Sequence, residues 1–239
     1  MKRRNASMDT LRGLAIVMMV TDHVAGLLLG HSIVDSPIRL AMRLSMPLFC
    51  VLMGYYLPTR ETWRARRFAE IAVTAVIVNL VFYPTYGCLD ILCSLLIAGV
   101  VGVVSGRFFP IFVSAALLYP VDPSDGWPSG GPMDFPLSIV LSFVALGSLH
   151  ARYGVKWACW IAAALTVFYL PATSLTPGSV SPLLFLFILP ATALLALAER
   201  FPSVSIPGLQ WLGRNPLKSY AVQYYVIFAL SYAISRLSG

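Results

Sequence analysis

The chain has 239 residues, of which 58% are hydrophobic and 11% charged; 17 Lys and Arg stand against 10 Asp and Glu, the net charge is +7 and the mean hydropathy is +0.79. An ordinary soluble domain carries roughly 25% charged residues, and so few ionic groups cannot coat a water-facing surface, so a soluble globule is excluded and an integral membrane protein is expected. Nucleic-acid binding is excluded as well, because the Lys and Arg residues fall in short clusters between apolar runs, with no basic helix or aromatic-basic platform.

A helix crossing a bilayer needs about 17 to 20 apolar residues, and runs of this kind bounded by charge, Gly or Pro predict about nine spans. In chain order they are Thr10–Gly30, Pro37–Leu57, Phe68–Pro84, Leu89–Ser105, Phe108–Tyr119, Phe135–His150, Val155–Leu170, Pro182–Ala198 and Pro216–Arg236. The fifth is the shortest. Lys2, Arg3 and Arg4 place the N-terminus on the cytoplasmic side, where basic residues of short loops accumulate. With alternating spans, Arg60, Arg64, Arg66, Arg67, Arg107, Arg152, Lys156, Arg200, Arg214 and Lys218 also fall inside, while Asp35, Asp90, Asp122, Asp125 and Asp134 fall outside. Deleting the fifth span would reverse Arg152, Lys156 and the Asp-bearing loop, so the charge pattern retains it. The expectation is an all-α, polytopic protein forming one domain over 1–239, with N inside and C outside, in a bacterial inner membrane or its equivalent.

The basic start followed by an apolar run also has the look of a signal peptide. Arg12 interrupts that run early, however, Asp22 and His23 sit late in it, and no small-x-small site closes a short apolar core. The long loop Val121–Asp134 is rich in Pro, Gly and Asp and reads as an ordered turn cluster or a lid on the outer face. Four cysteines make no metal framework: Cys50 and Cys159 lie in apolar runs, and Cys88 and Cys93 lack a Cys-x-x-Cys spacing or a nearby His. A disulfide between the latter pair is not expected.

Ionisable side chains inside a span cost on the order of 2.5 kcal/mol or more each, so those present mark a polar cavity or a partner. Arg12 and His23 are eleven positions apart on the first span, which at the α-helical rise and twist is about 16 Å along the axis and only about 20° around it. Both therefore share one stripe. Arg39 and Arg43 are one turn apart in the second span, with Arg43 near the depth of Asp22 and His23; Asn79 and Asp90 sit in the outer halves of the third and fourth, and Tyr220 and Gln223 in the last. The pattern predicts a polar pocket in the outer half of the membrane and a basic mouth on the inner side, formed by Arg12 and the Arg60 to Arg67 loop, suited to an anionic ligand. An imidazole beside a carboxylate and near a guanidinium can accept or steer a proton. The bland readings remain open: a packing histidine, an Arg43–Asp22 structural ion pair, and an arginine loop that only sets orientation.

Three segments carry a resemblance: MDTLRGLAIVMMVTDHV (Met8–Val24), IRLAMRLSMPLFCVLMGYYL (Ile38–Leu57) with the Arg-rich loop after it, and LGRNPLKSYAVQYYV (Leu212–Val226). The first two resemble the opening of the F-pilin acetylase (TraX-type) family. The LRGLAI segment and the spacing of Arg12 and His23 are similar to the broader type-3 membrane acyltransferase and heparan-glucosaminide acetyltransferase groups. The third is similar to their closing helix, except that Gln223 stands where relatives often have His, and Met46 replaces a Phe. The likeness covers roughly 8–70 and 212–226.

The resemblance implies transfer of an acyl group, usually acetyl from acetyl-CoA on the cytoplasmic side, to a peptide amine or sugar hydroxyl reached from the other side. Arg12, Arg64 and Arg67 would then hold the CoA phosphates. His23 would deprotonate the acceptor, Asp22 or Asp90 would orient the imidazole, and Arg43 or Asn79 would stabilise the oxyanion; acyl relay through His23 is the competing chemistry. Pro47 and Gly54 would bend and thin the second span beside the cavity. Two readings of other classes stand beside the enzyme: a small proton-coupled transporter or permease subunit using Asp22, His23 and Arg43 as a relay, for which no inverted repeat is evident, and an assembly subunit whose buried charges pair between chains.

Overall fold

A computed structural model describes residues 5–29, 36–58, 64–118, 132–175 and 187–237. The described residues are mostly helical, with a few turns and one isolated parallel bridge between Leu89 and Met133. The helices are α1 (Ala6–His23), running into a π-helical turn (Val24–Leu28), α2 (Pro37–Met42), α3 (Ser45–Tyr56), α4 (Arg64–Tyr86) and α5 (Ile91–Ser105). A 3₁₀ helix (Gly106–Leu118) follows, then α6 (Leu137–Tyr153), α7 (Val155–Leu175), α8 (Ile188–Arg200), α9 (Pro207–Arg214) and α10 (Pro216–Leu237). Helix forms in part of each of the nine expected apolar runs, interrupted within the second at Arg43–Leu44. Among the described residues, Ala6–Leu28, Pro37–Tyr56, Ala65–Tyr86 and Ile91–Ala115 are helical stretches long and apolar enough to cross a membrane; Leu137–Tyr153 and Val155–Phe168 are shorter apolar helices. The segment 121–131 of the expected outer loop lies outside the described residues.

Local chemistry sets these boundaries. Asn5 caps α1 by accepting from the Met8 N–H at 3.1 Å, and Ser36 caps α2 by accepting from the Arg39 N–H at 3.3 Å, with Pro37 in the first turn. The second apolar run is broken at Arg43–Leu44. Pro47 accounts for this, since its ring has no N–H and collides with the carbonyl four residues back, which belongs to Arg43. Instead of a bend inside one span, the proline leaves two helices and a turn at Arg43.

The weak fifth run is explained by its helix type. Thirteen residues as an α-helix would reach about 20 Å, but the 3₁₀ helix Gly106–Leu118 rises about 2.0 Å per residue and reaches about 26 Å. Gly106, at φ +53°, turns the chain between α5 and this helix. The 3₁₀ helix then runs antiparallel to α6: the Ser142 hydroxyl donates to the Val113 carbonyl at 2.7 Å, and Arg152 donates to the Gly106 carbonyl at 3.2 Å.

Two glycine contacts define the packing. The most extensive helix pair is α1 with α9; a Cβ on Gly13 would lie 1.8 Å from the Leu209 carbonyl oxygen, and one on Gly213 1.7 Å from that of Asp9. Between α3 and α6 the same reciprocity links Gly54 to Val144 and Gly147 to Val51. Bare glycine faces let helix backbones touch where apolar side chains alone would hold them apart. Val73, Val76, Leu80 and Tyr83 form an exposed stripe on α4, and Trp157, Trp160, Val167 and Phe168 lie exposed on α7, as expected of surfaces that face lipid tails rather than water.

Candidate active site

The reciprocal packing of Gly13 and Gly213 brings two arginines to one carboxylate. Asp9, 2% exposed, takes the Arg12 Nη1 at 2.8 Å and lies 4.0 Å from the Nε of Arg214. Arg12 also stacks over the Tyr56 ring at 4.5 Å. Arg67 reaches the same end of the bundle from α4, with its Nη1 3.1 Å from Glu70. Arg64 opens α4, and its side chain lies outside the described residues. Asp9 and Glu70 each orient a guanidinium by a charge-assisted bond.

At the other end of α1, Asp22 is 3% exposed and pairs with both arginines of the second run, Arg39 Nε at 3.1 Å and Arg43 Nε at 3.3 Å. Gly26 in the π-helical turn makes room for the Arg39 guanidinium, which lies 2.4 Å from where its Cβ would be. The pair expected of Asp22 and His23 is therefore not formed in the expected sense: Asp22 is turned to the guanidiniums. The imidazole Nδ1 instead lies 3.2 Å from the Gln223 amide nitrogen, and its ring packs 4.9 Å from that of Tyr224.

Asn79 and Asp90 are brought together, and neither is hydrogen-bonded to His23 among the described contacts. Asn79 accepts from the Asp90 N–H at 3.0 Å and donates to the Ala75 carbonyl at 2.8 Å; Asp90 caps α5 through the Leu92 N–H at 2.9 Å and accepts from the Tyr220 hydroxyl. These bonds fasten α4, α5 and α10 to one another. Neither Asn79 nor Asp90 lines the cavity described next.

One cavity, of about 230 Å³, touches both ends: Arg12, Arg67 and Arg214 line it together with Asp22, His23 and Arg43. Met19, Met46, Leu52 and Phe68 are among the apolar side chains that wall it. Arg12 and His23 thus face one space along α1, in keeping with their near-equal angular positions. Asp134 lies beside the His23 end, held by its N–H donating to the Leu89 carbonyl at 2.7 Å. Burial pushes its carboxyl up to about 7; Arg43 opposes this, and Asp90 and Asp22 add to it. Among the described residues no group of three His, Cys, Asp or Glu side chains is placed to hold a metal ion, and all four cysteines are free.

Among the charged and phenolic side chains of this cavity, Arg214, Asp134, Tyr56 and Tyr224 escaped the sequence reading as site residues. Arg214 sat within the Gly-Arg-Asn segment already singled out, so its signal was present; Asp134 ends a loop whose path the sequence does not fix. Arg39 and Gln223 were noticed, and the structure ties each to a residue singled out in the sequence, Asp22 and His23 respectively.

Residues 5–90 match the family model of an acyltransferase domain. The match is to the broad type-3 acyltransferase group, and it spans α1 to α4 with Arg12, Asp22, His23, Arg39, Arg43 and Arg67. It supports a membrane acyltransferase in general. No curated protein and no solved structure matches the chain.

Proposed function

We propose that the protein is a multi-pass membrane acyltransferase that moves an acetyl group from acetyl-CoA, bound on the cytoplasmic side, to a sugar hydroxyl or peptide amine presented from the other side. The observation that carries this reading is one cavity with Arg12 and Arg67 at one end and His23 with Arg43 at the other, all four residues belonging to the segment that matches an acyltransferase domain.

The donor's chemistry fits the two ends. Its pyrophosphate, with a single negative charge on each phosphorus, and its 3′-phosphate, a nearly dianionic monoester, suit the guanidiniums of Arg12, Arg67 and Arg214, with Arg64 opening the helix that carries Arg67. The rise of about 16 Å from Arg12 to His23 suits a thin pantetheine arm, and an apolar wall of Met, Leu and Phe excludes water from the thioester.

At the far end the imidazole of His23 takes the acceptor proton as the acceptor oxygen or nitrogen attacks the thioester carbonyl carbon. Negative charge builds on the carbonyl oxygen, and the Arg43 guanidinium stabilises it. The tetrahedral centre collapses, the C–S bond breaks, and the imidazolium returns its proton to the departing thiolate. Asp22 has a different role from the one expected for it: it holds Arg39 and Arg43 in place and balances their charge.

Equilibrium titration of the detergent-solubilised protein with acetyl-CoA tests the reading. Saturable binding is expected, weakened about tenfold in Arg67→Ala, the order of one lost charge-assisted contact at roughly 1.4 kcal/mol. Absence of binding contradicts the reading.

A further inference from the structure

We infer that Gln223 is the positioning residue for the His23 imidazole, its side-chain carbonyl accepting from Nδ1–H so that Nε2 is the nitrogen left to take the acceptor proton. This inference rests on the proposed role of His23 as the base. Gln223 is 7% exposed on α10, and its amide lies 3.2 Å from His23 Nδ1. Its other amide atom is buried without a hydrogen-bond partner, so the contact with the imidazole is the polar interaction that its head group makes. Oxygen and nitrogen of a side-chain amide are assigned by their bonding rather than distinguished by shape. Base chemistry decides the assignment: a neutral imidazole has one N–H and one lone pair, and a lone pair spent on a Gln N–H at Nδ1 would leave Nε2 protonated and unable to accept.

The surroundings favour a neutral orienter at this place. The charged and titratable groups around His23 are Asp22 on its own helix, Arg39 and Arg43 from the second run, Asp134 ahead of α6, and Tyr220 and Tyr224 on α10. Asp22 is engaged by both guanidiniums, so no carboxylate is hydrogen-bonded to the ring among the described contacts. The Tyr224 ring covers one side of the imidazole, and the amide fixes rotation in its plane. An orienting partner one shell from the substrate acts by holding tautomer and angle.

The test compares Gln223→Met, which keeps the volume and removes the acceptor, with Gln223→Glu, which keeps an acceptor oxygen at the same reach. Gln223→Met is expected to lower kcat by about 10- to 100-fold, the usual effect of losing a partner that orients a functional imidazole, with KM for acetyl-CoA unchanged. Gln223→Glu is expected to keep most of kcat. In the unsubstituted protein, nitrogen NMR of labelled histidine is expected to show His23 protonated at Nδ1, a readout that does not depend on either variant folding. Wild-type kcat in Gln223→Met, or an Nε2-protonated His23, overturns the inference. His23→Ala separates the two claims: full activity there overturns the base assignment itself, whereas loss of activity there beside an unaffected Gln223→Met overturns only the role of Gln223.

Discussion

Gly213 rests on the backbone of Asp9, so closely that a Cβ on the glycine would stand 1.7 Å from the Asp9 carbonyl oxygen. Through this contact the closing segment of the chain meets its opening helix, and the carboxylate of Asp9 gathers Arg12 and Arg214. Gly213→Ala must therefore push α1 and α9 apart, because the obstacle is backbone and cannot rotate away. A loss of at least about 1–3 kcal/mol, the usual cost of overpacking, is expected in thermal unfolding, together with weaker acetyl-CoA binding as the arginines separate. Wild-type behaviour on both counts would contradict the packing described.

Removing Asp22 should be far more damaging than removing a surface carboxylate. Its two partners have side chains 17% and 13% exposed, and breaking a buried pair by deleting one member typically costs about 3–5 kcal/mol, since the remaining charges stay desolvated. Asp22→Asn is expected to unfold at a markedly lower temperature, and Asp22→Asn combined with Arg39→Leu to recover part of the loss. No recovery in the double variant would mean that the two residues do not share one interaction.

Stability should also fall as pH rises through a defined window. The Asp134 carboxyl is pushed up to about 7, well above the ordinary carboxylate range, so the folded chain binds its proton more tightly than the unfolded one. The stabilisation this provides is full below about 4 and is lost as the pH rises through about 7. Melting temperature measured at pH 5 and pH 8 is expected to drop over this interval, and Asp134→Asn, which cannot ionise, is expected to flatten the drop. An unchanged slope in Asp134→Asn would assign the effect to other groups.

A second polar cluster lies elsewhere. Glu199 takes the His150 Nε2 at 2.7 Å and the Tyr55 hydroxyl at 3.0 Å, joining α3, α6 and α8, and none of the three residues lines the cavity. Glu199 is half open to solvent while His150 is buried. Glu199→Ala is expected to cost about 1 kcal/mol, discounted for the exposed carboxylate, and to leave KM and kcat unchanged. A selective fall in kcat would place this cluster in the transfer reaction.

The chain's helical, membrane-like character was legible because 58% apolar content in long runs admits few other folds. The stripe shared by Arg12 and His23 was legible too, since helix periodicity fixes relative angle within one element. Partners across elements were not. The hydrogen bonds of Asn79 and Asp90 depend on how α4, α5 and α10 meet, and Asp22 had a choice between a neighbouring imidazole and two guanidiniums 17 and 21 positions on. Electrostatics favoured the guanidiniums, which offer full charge where the imidazole offers a dipole. The 3₁₀ form of the fifth run was also hidden, because its apolar composition suits either helix and only the distance to be bridged distinguishes them.

The central claim is that a thioester carried in from the arginine end meets the imidazole of His23. Release of free CoA thiol from acetyl-CoA by the solubilised protein, with an added hydroxyl or amine acceptor, measures this directly in wild type and in His23→Ala. Acceptor-dependent release that falls at least about 100-fold in His23→Ala, with acetyl-CoA still bound, is the expected result. Equal release from both proteins would contradict the account.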